Sequence, residues 1–166
     1  MKTTDDQKEL FIVVNEKDKF LEYRTRADCH KDKTLIHRTS GVAVFNRHGD
    51  ILIQKRSKTK DLYSGYFALS AAGHVSKGEK YKQAARREMF EEIGIVAPLI
   101  LVDKKLLYLP EETEYDTLYR TFHEGPFNLN KYEVESIEFV PKTMIKLIKN
   151  KLTPYSVMCF ERLGIL

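Results

Sequence analysis

Apolar residues fall mostly in short runs along this chain, separated by polar turns, with one longer stretch at helical spacing near the middle. Leu10–Val14 (LFIVV) predicts a short outer strand, turned by Asn15-Glu16-Lys17-Asp18. Glu22–Asp32 is polar and predicts a short helix carrying Arg24, Arg26 and His30. Gly41–Phe45 and Ile51–Gln54 read as strands, and Asn46-Arg47-His48-Gly49-Asp50 between them is a hairpin signal. Tyr66–Ala72 reads as a further strand. From Tyr81 to Ile93, Ala84, Ala85, Met89 and Ile93 recur at helical spacing among good helix formers, with Gly94 placed to cap the C-terminus. Strands follow at Leu99–Leu109, Leu118–His123 and Ser136–Val140, with Pro110–Glu114 connecting the first two. Lys142–Lys149 and Tyr155–Leu163 read as helices, the first with Pro141 near its start.

Strands on either side of a central helix, with two helices at the end, imply a mixed sheet between helical layers. The 166 residues suit one domain with a sizeable core, and show no repeat or low-complexity segment. At 42% hydrophobic and 31% charged, the composition is that of an ordinary soluble globular protein. A net charge of +4 without an arginine–lysine run favours a pocket for an anionic small molecule over a nucleic-acid-binding face. Cys29 and Cys159 form no disulfide framework, MKTTDDQKEL has no signal-peptide core, and no apolar run approaches a membrane span. A cytoplasmic protein without membrane partners is expected.

Chemistry concentrates in Gly73–Ile95, GHVSKGEKYKQAARREMFEEIGI. Glu88, Glu91 and Glu92 lie at i, i+3 and i+4, stacked on one turn of the predicted helix, where like charges repel. A divalent ion with a preference for oxygen ligands would relieve that repulsion; a solvated acidic face beside Arg86 and Arg87 is the alternative. Gly73 and Gly78 let the backbone before the helix bend and approach a metal or phosphate closely.

The spacing Gly73, Glu79, Arg87-Glu88-Met89, Glu91-Glu92, Gly94-Ile95 resembles the signature of the Nudix family, which cleaves diphosphate bonds using divalent metal. The resemblance implies an α/β (α+β) fold, the Nudix αβα sandwich. It also implies Mg²⁺ or Mn²⁺ held by Glu88, Glu91 and Glu92 with the Gly73 carbonyl as a further ligand. Arg87 would orient a glutamate, Glu79 would brace the loop, and Glu133 is the first candidate for general base, ahead of Glu92 and Glu114. From about Leu10 to Leu163 the chain is further similar to type I isopentenyl-diphosphate isomerases. Their pattern of histidines and acids places a second metal site, for Mn²⁺, Mg²⁺ or Zn²⁺, at His30, His37, His74, Glu114 and Asp116. It assigns Arg26, Arg56 and Lys60 to the substrate diphosphate, Tyr108 to the active site, and Tyr155 to the position of a tryptophan facing the cationic intermediate. Packing at a helix start is the alternative for Tyr155.

One departure bears on the reaction. The isomerases carry a cysteine immediately before the Gly-His step, and here that residue is Ala72, which can neither donate nor accept a proton. Asp116 also shortens the acid expected there, whereas the hydrolase signature is complete. A metal-dependent hydrolase cleaving a diphosphate bond in a nucleoside diphosphate-type or related small molecule is therefore expected. An isomerase with an unusual proton donor and a non-catalytic diphosphate or nucleotide sensor are the alternatives.

Overall fold

A computed structural model of the chain describes residues 5–166. Its centre is β3 (His37–Phe45), which runs parallel to β8 (Thr113–Phe122) over its whole length, from His37↔Glu114 to Phe45↔Phe122. On the other side β6 (Ala71–His74) pairs antiparallel with β3, bringing Gly73 opposite Ser40 and His74 opposite Thr39. β7 (Ile100–Tyr108) extends the sheet beyond β8, and β4 (Ile51–Arg56) carries β5 (Phe67–Ala68) and β9 (Val134–Val140).

The alternation along β3 explains the layers. Val42 and Val44, with Leu52 of β4, pack on Ala85, Met89 and Ile93 of α2 (Tyr81–Ile93). Ala43 and Phe45, with Ile51 and Ile53, pack toward Ile145 of α3 (Lys142–Leu147) and Cys159 and Phe160 of α4 (Pro154–Arg162). Successive side chains leave opposite faces and both faces are covered, so the Gly41–Phe45 half of β3 reads as one unbroken apolar run. The mixed sheet between helical layers is as expected.

Several boundaries differ from the sequence reading. Glu22–Thr25 belongs to β2 (Phe20–Thr25), which pairs antiparallel with β1 (Leu10–Val14); only α1 (Arg26–Lys31) is helical. β2, not β1, is the outer strand here. Most of its side chains face solvent, so no apolar face marks it. The Thr25 hydroxyl then accepts from Asp28 N at 3.2 Å, capping α1.

The hairpin turn forms as expected, with Asn46 Oδ1 accepting from His48 N and Asp50 N at 2.9 Å each. Beyond Phe45↔Ile51 its strands take different partners. The strand expected over Tyr66–Ala72 is split, because the chain passes from β4 to β3 at Leu69–Ser70. There the Ser70 hydroxyl donates to Leu52 O at 2.5 Å and accepts from Val44 N at 2.9 Å, a link between two strands that no periodicity shows.

Candidate functional site

α2 begins where the Lys80 amide donates to the Gln83 side chain at 2.9 Å and ends at Gly94, whose φ of 71° is left-handed. Glu88, Arg87, Glu91 and Glu92 occupy its last turns, beside the loop that leaves β6. Arg87 ties loop and helix together. Its Nε and Nη2 donate to the two oxygens of Glu79 at 2.7 and 2.9 Å, a bidentate pair, and Nη2 also reaches His74 O at 3.0 Å. Its Nη1 donates to Glu88 Oε1 at 2.5 Å and Glu91 Oε2 at 3.1 Å. One guanidinium thus fixes three carboxylates.

Gly73 has a steric reason to be glycine. A Cβ there would lie 2.1 Å from Glu88 Oε1. Since Arg87 pins the Glu88 carboxylate, a methyl group at this position must displace it. Gly73→Ala is expected to lower turnover by about 10²-fold, the scale of an ångström misplacement, while a melting curve shows only a small shift. Wild-type turnover in the variant would mean that Glu88 acts from elsewhere.

Glu92 is buried and bonded to neutral donors, Gln54 Nε2 at 3.0 Å and the Ala72 amide at 3.1 Å. Burial, then the charges of Glu88 and Glu133, raises its pKa well above the ordinary carboxylate range. Burial also raises Glu88, against the opposing pull of Arg87. Glu88, Glu91, Glu92 and Glu133 all line a cavity of about 480 Å³. Glu133 accepts from Lys60 Nζ at 3.3 Å and Asn130 Nδ2 at 3.2 Å. Sequence reasoning missed Gln54, which carries no motif and reaches Glu92 only because β4 passes across the end of α2.

The second cluster is assembled by β1, α1, β3 and β6. His30, His37 and His74 converge on Glu112, with ring Nε2 atoms 3.3, 3.2 and 3.7 Å from its Oε2. Phe11 forms one wall, stacked on His74 at 3.9 Å. His37 Nδ1 faces Leu35 O at 3.1 Å; a carbonyl only accepts, so the proton sits on Nδ1. His37 Nε2 is then the ring nitrogen turned to the Glu112 carboxylate. His30 Nε2 and His74 Nε2 are buried and lack a hydrogen-bond partner among the described residues. Burial pushes His74 down to about 3, so its ring is neutral and its lone pair free for a ligand. Three imidazoles and a carboxylate with orphaned nitrogens fit a divalent transition metal.

The acid at this cluster is a correction. The expected pair was Glu114 and Asp116, but the histidines meet Glu112. Glu114 lines the cavity and accepts from Thr39 Oγ1 at 3.1 Å, two positions along from Glu112. Asp116 is fully buried beneath it and held by Arg162 Nη1 at 2.5 Å, Tyr155 OH at 2.9 Å and Thr39 Oγ1 at 3.1 Å. Already neutralised by a guanidinium, it is no ligand. The acidic pair at the cavity is therefore Glu112–Glu114, both full-length glutamates, and the shortened acid no longer counts against isomerisation. Sequence reasoning missed Glu112 because it precedes β8 in the turn.

Among the residues expected to contact substrate, Arg26, Arg56, Lys60 and Tyr155 line the cavity. Arg56 donates twice to Leu62 O, at 3.2 and 2.9 Å, shaping the loop after β4. Tyr155 fits because residue 41 is glycine: a Cβ there would lie 2.3 Å from its hydroxyl. Tyr108 is a correction. It is 67% exposed and outside the cavity, because Leu107 and Leu109 on either side of it turn inward.

Comparison with known proteins places these features. The NUDIX domain model matches residues 35–159. Over 124 residues the chain is 36% identical to the uncharacterized Nudix hydrolase lmo0368 of Listeria monocytogenes, covering 72% of this chain and 73% of that protein. It is 29% identical over 161 residues to isopentenyl-diphosphate Delta-isomerase 2 of Photorhabdus laumondii, covering 93% and 90%. The crystal structure of DR0079 from Deinococcus radiodurans shares the fold, with a TM-score of 0.75 at 20% identity over 88% of this chain and 93% of that one. With the family model matched across most of its length and the carboxylate helix built on its signature, the chain belongs to the NUDIX family of metal-dependent hydrolases.

Proposed function

We propose that this protein hydrolyses a diphosphate linkage in a small-molecule substrate, with Mg²⁺ or Mn²⁺ held by Glu88, Glu91 and Glu92 and the Gly73 carbonyl. The observation that carries this reading is Glu92: a buried carboxylate whose direct partners are neutral, crowded by the charges of Glu88 and Glu133. As an anion such a group gains from a divalent cation beside it, since Lys60 offsets burial and the charges of Glu88 and Glu133 only in part. When bound, the divalent ion supplies Lewis acidity and neutralises phosphoryl charge. The chain's own residues do the rest. Arg87 holds Glu88 and Glu91 in place, Glu133 is set to accept a proton from the attacking water, and Arg26, Arg56 and Lys60 receive phosphoryl oxygens. The His30–His37–His74–Glu112 cluster would hold a second ion, Mn²⁺ or Zn²⁺.

That cluster, with the isomerase relative, supports isomerisation as the second reading. Against it stands Ala72, which lines the cavity and has no thiol to transfer a proton. The test is a panel of nucleoside di- and triphosphates, dinucleotides, nucleotide sugars and isopentenyl diphosphate, with Mg²⁺ or Mn²⁺ and with EDTA. Phosphate or monophosphate release that needs metal is the expected result. Double-bond migration without hydrolysis would overturn it in favour of the isomerase, and tight binding without turnover in favour of a sensor.

A further inference from the structure

At the end of the cavity where Lys60 and Arg26 meet, the N-terminal segment enters the site. Asp5 places one carboxylate oxygen 2.5 Å from Lys60 Nζ and the other 3.0 Å from the Asp61 amide, which donates to it. The Arg26 guanidinium lies 4.0 Å away. The Asp5 side chain is only 5% exposed, and Asp5 and Asp6 line the same cavity as Glu88 and Glu92. An acid sunk in this way faces an ammonium, a guanidinium and a backbone N–H together.

The donor set belongs to a different kind of ligand. An ammonium, a planar guanidinium and an amide N–H converging on two oxygens is the arrangement that receives a phosphoryl group. The Arg26 Nε is buried and without a hydrogen-bond partner among the described residues, so the cradle is incomplete with a two-oxygen carboxylate in it. A phosphoryl group brings a third oxygen. Glu9 and Glu133 also face Arg26 and Lys60, at 2.9 and 3.3 Å, so each cation keeps an acid beside it when Asp5 is displaced.

We propose that Asp5 occupies the phosphoryl position already assigned to Lys60 and Arg26, completed by the Asp61 amide, as an internal stand-in which substrate must displace. The proposal rests on the diphosphate reading above and adds regulation of the same site by the N-terminal segment. A site available only a fraction of the time binds with its affinity reduced by that fraction. Occupancy of the subsite by Asp5 for roughly 90% of the time would therefore weaken apparent binding by roughly tenfold.

The experiment measures binding of methylenediphosphonate, which cannot be hydrolysed, by calorimetry in Mg²⁺ on the full chain and its variants. Asp5→Asn keeps an acceptor for the Asp61 amide and removes the charge; Asp5→Ala removes both. Affinity is expected to rise about three- to tenfold, with Ala gaining at least as much as Asn, and KM for the hydrolysed substrate to fall in step. In a Lys60→Met background the gain should vanish, because Asp5 and the ligand then lose the same partner. Unchanged or weaker binding in both Asp5 variants would overturn the proposal, whether or not the protein turns over. Tighter binding by the variants without hydrolysis would leave the subsite standing and remove the hydrolase reading instead.

Discussion

Glu92→Gln is expected to lower metal-dependent turnover by roughly 10³-fold or more, the largest single-residue effect on activity at this site. The substitution keeps the shape of the side chain and can keep the bond from the Ala72 amide, so the loss would come from charge alone. The same change should not harm the fold. Glu92 is 3% exposed and is raised by burial and by the charges of Glu88 and Glu133, so a neutral isostere removes desolvation and repulsion together. In EDTA the variant should therefore melt at or a few degrees above wild type, corresponding to about 1 kcal/mol. The two measurements pull in opposite directions, which separates a functional loss from a folding defect. Lower activity together with a lower melting temperature would mean that Glu92 is a structural acid.

The largest effect on stability is expected at a residue no motif marks. The Arg162 side chain is 4% exposed, donating to Asp116 Oδ2 at 2.5 Å through Nη1 and to Asp103 Oδ1 at 2.8 and 2.5 Å through Nε and Nη2. Asp116 has no exposed surface. Arg162→Met leaves that carboxylate buried without a counter-charge, and should cost about 3–5 kcal/mol, read as a lower midpoint of urea denaturation at unchanged slope. Adding Asp116→Asn should recover a large part of the loss, because the stranded charge is gone. Metal affinity of Asp116→Asn alone should match wild type, as befits a residue outside the ligand set. A loss below about 1 kcal/mol for Arg162→Met would show the pair to be dispensable.

Legibility from sequence followed the range of the interaction. The extent of α2, from about Tyr81 to Ile93, was readable, since helical spacing and the Gly94 cap are local. So was the grouping of Glu88, Glu91 and Glu92, which one helical turn enforces. β2 was misread as helix because an outer strand with exposed side chains has no apolar stripe to reveal it. The split between β5 and β6 was invisible because Ser70 answers to Val44 and Leu52, far away in the chain.

At the site the division is sharper. The signature alone determined which carboxylates share a helix face, which arginine sits among them, and the family to which the chain belongs. The sequence also marked the three histidines, but which acid meets them was decided by the parallel pairing of β3 with β8 and the turn before it, which presents Glu112 to the rings and buries Asp116 against Arg162. Gln54 beneath Glu92 and Asp5 against Lys60 likewise depend on distant segments meeting. Local patterns record what neighbouring residues impose on one another. Charge pairing inside a cavity depends on strand register and chain crossing, and those are set only when the whole core packs.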